Sequence, residues 1–300
     1  MINNQRKTAE LPSCGLLDTI KKTTITSLFS DDDLFDLLVL KGGNAMDIVH
    51  KISSRSSVDI DFSAEINFDC KTVAPKVTIA IRNGFEKIGY LAFDIKMTIR
   101  PGKMPDELAS FWGGYLVEFK LISLARAKEV LHDVEVMRRE AIMLGQGTKF
   151  TIDISRHEYI KDKVPHELDE HTIYVYSPAM IVCEKLRAIC QQMEEYAVVI
   201  KRNGTGSQRA RDFIDIEVLI REFNIDLSKP ELMELVKEMF KIKNVPLPLL
   251  RKIKETKNFH STGYLEVQAA MKPGVKVESF EYYFEFVVNN LDKLKSIWNV

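Results

Sequence analysis

The feature that most constrains this chain is an apolar run of buried-strand length, Leu37 to Leu40, that ends at Lys41-Gly42-Gly43-Asn44. After it, Ala45, Met46, Ile48 and Val49 have the spacing of an amphipathic helix. The pattern predicts a strand, a tight glycine turn and a helix start. Glycines at such a turn let the backbone approach a ligand closely, and the free N–H groups of a helix N-terminus favour a phosphate. A glycine pair alone does not specify that ligand.

A second segment sharpens the reading. Ser57-Val58-Asp59-Ile60-Asp61-Phe62 alternates polar with apolar residues, so a strand here puts Asp59 and Asp61 on one face. Two carboxylates about 7 Å apart along a strand raise each other's pKa unless a cation lies between them. Hard oxygen ligands in small number, with positions left for water and substrate phosphates, suit Mg²⁺ or Mn²⁺ rather than Zn²⁺. The alternative is that both aspartates form the solvent face of an edge strand.

Bulk properties narrow the class. The 300 residues are enough for two domains. A content of 45% hydrophobic and 28% charged residues with a net charge of −1 fits a globular protein and excludes a generally basic nucleic-acid binder, though not a local basic groove. No apolar run reaches the roughly 18 residues of a membrane span, and Met1-Ile2-Asn3-Asn4-Gln5-Arg6-Lys7 lacks a signal-peptide core, so a cytoplasmic protein without membrane contact is expected. Cys14, Cys70, Cys183 and Cys190 lack metal-type spacing, and the last two read as buried thiols on a helix.

Along the chain, Asp31-Asp32-Asp33 reads as the start of a short helix, because acids suit a helix N-terminus. Val73 to Tyr90 reads as a helix covering the sheet. Three alternating strands follow, over residues 92–99, 114–122 and 149–155, with a charged helix over residues 125–144 between the last two. Asp153 and Glu118, each on one of these strands, are the candidates for a further carboxylate. A polar linker around Asp162, Lys163, Pro165 and His166 sets the expected boundary between residues 1–165 and a helical part, 166–300. Ser177-Pro178 marks a helix start carrying Glu184-Lys185-Leu186-Arg187-Ala188, and a later helix carries Arg211-Asp212-Phe213-Ile214-Asp215. Taken alone, Lys185 and Asp212 read as a surface ion pair of little energetic worth. Lys201, Arg202, Arg209, Arg211, Arg251, Lys252, Lys254 and Lys257 could line a nucleic-acid groove or be a solvated face.

Gly-Gly, a helix and Ser-x-Asp-hydrophobic-Asp together resemble the core of the DNA polymerase beta-like nucleotidyltransferase superfamily. More narrowly, Leu40-Lys41-Gly42-Gly43-Asn44-Ala45 with Arg55-Ser56-Ser57-Val58-Asp59-Ile60-Asp61-Phe62 resembles the AbiEii family of nucleotidyltransferase toxins, together with the MenT-like toxins. Asn44 and Ser56 depart from the family's Thr and Phe. The strand ending at Ser155-Arg156-His157-Glu158 and the Glu-Lys-Leu-x-Ala and Arg-Asp-x-x-Asp helices extend the resemblance over about residues 36 to 220.

The resemblance implies an α+β fold, a mixed polymerase beta-like sheet with flanking helices followed by a helical C-terminal domain. It also implies transfer of a nucleoside monophosphate from a nucleoside triphosphate, with tRNA as acceptor, pyrophosphate as leaving group, and a cognate antitoxin in a toxin–antitoxin or phage-defence pair. By the same match, Lys185 and Asp212 join Asp59 and Asp61 at the active site, and Lys41, Gly42, Gly43, Ser57 and Lys185 hold the nucleotide. Two-metal nucleotidyl transfer calls for a third carboxylate on a neighbouring strand, and the likeness of Phe150-Thr151-Ile152-Asp153-Ile154-Ser155 to the family's strand favours Asp153, with Glu118 as the reserve. Two rivals stay open: nucleotidylation of a protein side chain, and a nucleotide-binding module without catalysis.

Overall fold

A computed structural model describes residues 14–52, 59–144, 147–204, 206–272 and 274–298. Ser57, expected at the nucleotide, lies outside them.

The first helices, α1 (Cys14–Phe29) and α2 (Asp32–Leu37), lead into β1 (Val39–Lys41). Asp31 caps α2 by accepting a hydrogen bond from the Leu34 N–H, the role its position in the acidic triplet suggests. The Gly42–Asn44 helical turn follows and widens into a π-type turn at Ala45–Val49. Next come β2 (Ile60–Ser63), α3 (Cys70–Lys87), β3 (Tyr90–Arg100) and β4 (Gly114–Ser123). The charged segment expected as one helix is two short ones, α4 (Leu124–Glu129) and α5 (Val134–Arg139), because Leu131 and His132 between them have positive φ. The sheet is completed by β5 (Phe150–Ser155), β6 (Val164–Leu168) and β7 (His171–Val175).

The seven strands run in the order β3-β4-β5-β2-β1-β7-β6. β1 is antiparallel to β2 and parallel to β7, and β2 is parallel to β5, so the sheet is mixed. Strand alternation assigns its two faces. Leu40, Phe62, Ile152, Ile154, Val117 and Phe119 point one way and are fully or nearly fully buried. Phe62 meets Phe29 of α1, and Phe119 meets Phe85 of α3. Each such side chain contributes about 1.5–3 kcal/mol on burial. Helices α1 and α3 approach so closely that a Cβ on Gly84 would overlap the Ser27 side chain. The opposite face carries Lys41, Asp61 and Asp153 and is left for chemistry.

The expected boundary at 165 falls inside β6. The β6–β7 hairpin turns at Asp169 and Glu170, both with positive φ, and β7 pairs with β1. The sheet therefore takes most of β6 and all of β7 from beyond that boundary, and the helical part begins after Val175. There, α6 (Pro178–Cys190) is capped by the Ser177 hydroxyl, which accepts from the Met180 N–H, with Pro178 at its first position. It packs on α7 (Ala210–Glu222) and α8 (Pro230–Lys241), and α7 packs on α9 (Phe280–Leu291). One apolar cluster runs from Ile20 to Trp298 and joins the sheet to these helices. Cys183 and Cys190 are buried in it as free thiols.

Candidate active site

Register gathers the site. Lys41 is the partner of Asp61, and Asp61 of Asp153, so the three side chains form one row across β1, β2 and β5 on the open face. Asp59 lies just before β2, where its carboxylate accepts from the Thr151 hydroxyl at 3.1 Å. The glycine turn fits against this row. Gly42 has φ +69, and a Cβ on it would come within 2.7 Å of the Asp61 Oδ2. Asn44, buried behind the turn, donates from its side-chain amide to the Asp59 carbonyl, tying the two motifs together. Gly43 follows in the same helical turn and is buried.

The electrostatics follow from the crowding of carboxylates. Burial pushes the Asp61 carboxyl up to about 6; Lys41 opposes this, and Glu184, Asp153 and Asp59 add to it. Asp153 is also raised by burial and by Asp59, against the pull of Arg100 and Lys41. This acidic group has Lys41 as its near cation, yet the Lys41 ammonium turns aside to Ser155 Oγ at 3.0 Å and to Glu158 and Glu184 at 3.7 and 3.9 Å. An Asp-x-Asp pair held in this way, with the Asp61 carboxyl raised by burial and by the neighbouring carboxylates, fits a hard divalent cation. Among the described residues, no group of three or more His, Cys, Asp or Glu side chains is placed to hold a metal ion; an ion at Asp59 and Asp61 would draw its other ligands from water and substrate oxygens.

Glu118, the reserve third carboxylate, shares the face with Asp153 but sits opposite Thr151 and Lys96. It accepts from Lys149 at 2.8 Å, which holds its carboxyl below the usual range. Asp153, in the same row as Asp61, is the better placed.

Lys185 and Asp212 meet, but not on the surface. The Lys185 ammonium donates to Asp215 at 2.6 Å and to Asp212 at 3.1 Å, and Arg209 donates to the other Asp212 oxygen at 2.6 Å. All but Arg209 are buried. Burial disfavours both charges, and the pairing overcomes it: Lys185 is held above, and Asp212 below, its ordinary range. This cluster joins α6 to α7. Glu184, beside it, links the cluster to the sheet, for its charge is felt at Asp61, Lys185 and Arg209.

Comparison with known proteins decides the family. The family model described as nucleotidyl transferase AbiEii toxin, type IV toxin–antitoxin system, matches residues 25–286. This chain belongs to the AbiEii nucleotidyltransferase toxin family. Among solved structures, JHP933 from Helicobacter pylori is similar over 96% of both chains, with 16% identity and a TM-score of 0.51. A second H. pylori structure, provisionally described as a nucleotidyltransferase, aligns over 94% of this chain and 96% of its own at 14% identity and a TM-score of 0.47. An antigenic nucleotidyltransferase-like protein from Paracoccidioides brasiliensis covers 77% of this chain and 92% of its own, with 13% identity and a TM-score of 0.36. A search of curated proteins finds no match. The family match and the likeness to JHP933 over nearly the whole chain agree with the mixed sheet, flanking helices and C-terminal helices expected from the motifs.

In this AbiEii chain the structure adds residues that the motifs did not assign. Glu158, Glu184, Arg187 and Lys243 stand around Lys41 and Ser155 at the inner end of the cleft. The signal for two of them was present: Glu184, Arg187 and Gln191 are spaced i, i+3, i+7 and share a helix face, whereas Lys185, one residue on, is turned toward α7. Lys243 lies beyond α8 in a stretch with no motif.

Proposed function

We propose that this AbiEii toxin transfers a nucleoside monophosphate from a nucleoside triphosphate to an RNA hydroxyl, with tRNA as the likeliest class of acceptor and pyrophosphate as leaving group. The observation that carries the reading is the single row of Lys41, Asp61 and Asp153 across three strands beside the Gly42 turn. Asp59 and Asp61 would hold Mg²⁺ or Mn²⁺. The bound ion supplies neutralisation of phosphate charge. Gly42 and Gly43 let the backbone come close to the triphosphate, and Lys41 holds negative charge beside it. Asp153, with a carboxyl raised by burial, is suited to take the proton of the attacking hydroxyl.

Lys185 and Asp212 enter through the family match. Two of the three Lys185 N–H donors are engaged by Asp212 and Asp215, and the third would serve a phosphate oxygen. Asp212 positions that ammonium. A cognate antitoxin completes the system, as the family's type IV description suggests. No helix among the described residues is long and apolar enough to cross a membrane.

Incubation with each α-labelled nucleoside triphosphate and total cellular RNA tests the reading. Label in tRNA-sized RNA supports it. Label in protein instead would move the assignment to side-chain nucleotidylation, and binding without any label would leave a nucleotide-binding module.

A further inference from the structure

Against the Lys41 and Asp153 side chains of the row lies a cavity of about 320 Å³ between the sheet and α6. Its lining carries four cations, Lys41, Arg187, Lys243 and, at the exposed rim, Arg100, against the three carboxylates of Asp153, Glu158 and Glu184. Three buried cations converge there on one buried carboxylate: Arg187 donates to Glu158 at 2.8 Å, and Lys243 and Lys41 stand 3.4 and 3.7 Å from its other oxygen. A structural ion pair needs one cation for one carboxylate, and each further buried charge carries a desolvation cost. Glu184 compensates Lys41 in part, at 3.9 Å. The Arg187 Nε, fully buried, has no acceptor among the described residues. The guanidinium's other nitrogens serve Glu158 and the Met239 carbonyl, so Nε is its one nitrogen without an acceptor among the described residues, at a side chain that lines the cavity. Lys243 points the same way: burial pushes it down to about 8, with Arg187 and Lys41 adding to the effect and Glu158 opposing it. An added anion would relieve that crowding.

We propose that this cavity is an anion seat for a phosphate group of a reactant, recognised by Arg187, Lys243 and Lys41. The inference rests on the nucleotidyl-transfer reading. Two sources share the chemistry: the pyrophosphate end of the nucleoside triphosphate and a backbone phosphate of the acceptor strand. Arg supplies a directional donor, and the two ammonium groups supply compact charge.

The test is equilibrium binding to the full chain in the presence of a chelator, with inorganic pyrophosphate and a short single-stranded oligoribonucleotide as separate probes. Lys243→Met removes the ammonium and its hydrogen bond to the Arg156 carbonyl but keeps most of the apolar stem and leaves Glu158 paired with Arg187, so it should fold; thermal unfolding checks that. It should weaken one probe by about ten- to a hundredfold, the worth of one charged hydrogen bond, and leave the other nearly unchanged. The probe affected identifies the source. Gln191→Glu, which adds a negative charge to the same lining, should weaken the same probe. Unchanged affinity for both probes in both folded variants would overturn the anion seat. Because no turnover is read, failure of the transfer reaction would not be mistaken for failure of the seat.

Discussion

Gly42 and Asp61 are in near contact: a Cβ on the glycine would lie 2.7 Å from the Asp61 Oδ2, and the glycine backbone has φ +69. The turn and the carboxylate are therefore a single fitted unit, although 19 positions separate them in the chain.

Gly42→Ala should disturb both partners. The left-handed backbone costs a residue with a Cβ about 1–2 kcal/mol, and the methyl group must displace the Asp61 carboxylate. Chemical denaturation should show the stability loss, and transfer should fall further than the lost stability explains. Full activity in the folded variant would separate the turn from the site.

The raised Asp61 carboxyl makes stability depend on pH. Its folded value, about 6, lies above the ordinary 3.8, so its stabilising effect is complete below about pH 4 and is lost as pH rises through 6. In metal-free protein, Asp61→Asn should therefore stabilise the fold at pH 7, by up to about 3 kcal/mol, and not at pH 4. Magnesium should raise the melting temperature of the parent protein near pH 7 and much less that of Asp61→Asn. Equal pH profiles for parent and variant would contradict the assigned burial and crowding.

Asp153→Asn and Glu118→Gln distinguish the candidate bases. Loss of the Asp153 carboxylate should lower turnover by about 10²- to 10⁴-fold. Glu118 is committed to Lys149, and its amide should leave turnover within a small factor. The reverse order in single-turnover assays would exchange their roles.

Much of this was legible in the sequence. The alternation of Asp59, Ile60, Asp61 and Phe62 gave the face of β2 correctly, and the Ser177-Pro178 cap gave the start of α6. The run from Phe150 to Ser155 gave both a strand and the carboxylate that register sets beside Asp61. What the pattern could not give was depth. Lys185 and Asp212 look like surface charges locally, and only the packing of α6 on α7 encloses them. Glu158 and Lys243 meet across 85 positions, and no local period reports such a contact. The hairpin of β6 and β7 was split because its short strands are rich in polar residues, and β7 is recognised as part of the sheet only through its pairing with β1.

Burial of Lys185 changes what its removal should do. Lys185→Ala leaves Asp215 without this partner while Asp212 keeps Arg209, so the variant should lose about 3–5 kcal/mol of stability. If the ammonium also meets the triphosphate, turnover of the folded variant should fall by about two to three orders of magnitude. Rate and nucleotide affinity, measured at a temperature where the variant is folded, separate the two effects. A destabilised variant with unchanged turnover would make Lys185 a structural residue only.

The central claim is that the Asp61 carboxylate, in its row with Lys41 and Asp153, carries nucleotidyl transfer. The most direct measurement is the rate of label transfer from an α-labelled nucleoside triphosphate to RNA, with magnesium present, by the parent protein and by Asp61→Asn of verified fold. The account predicts transfer by the parent and none above background by the variant. Equal transfer by the two proteins would contradict it.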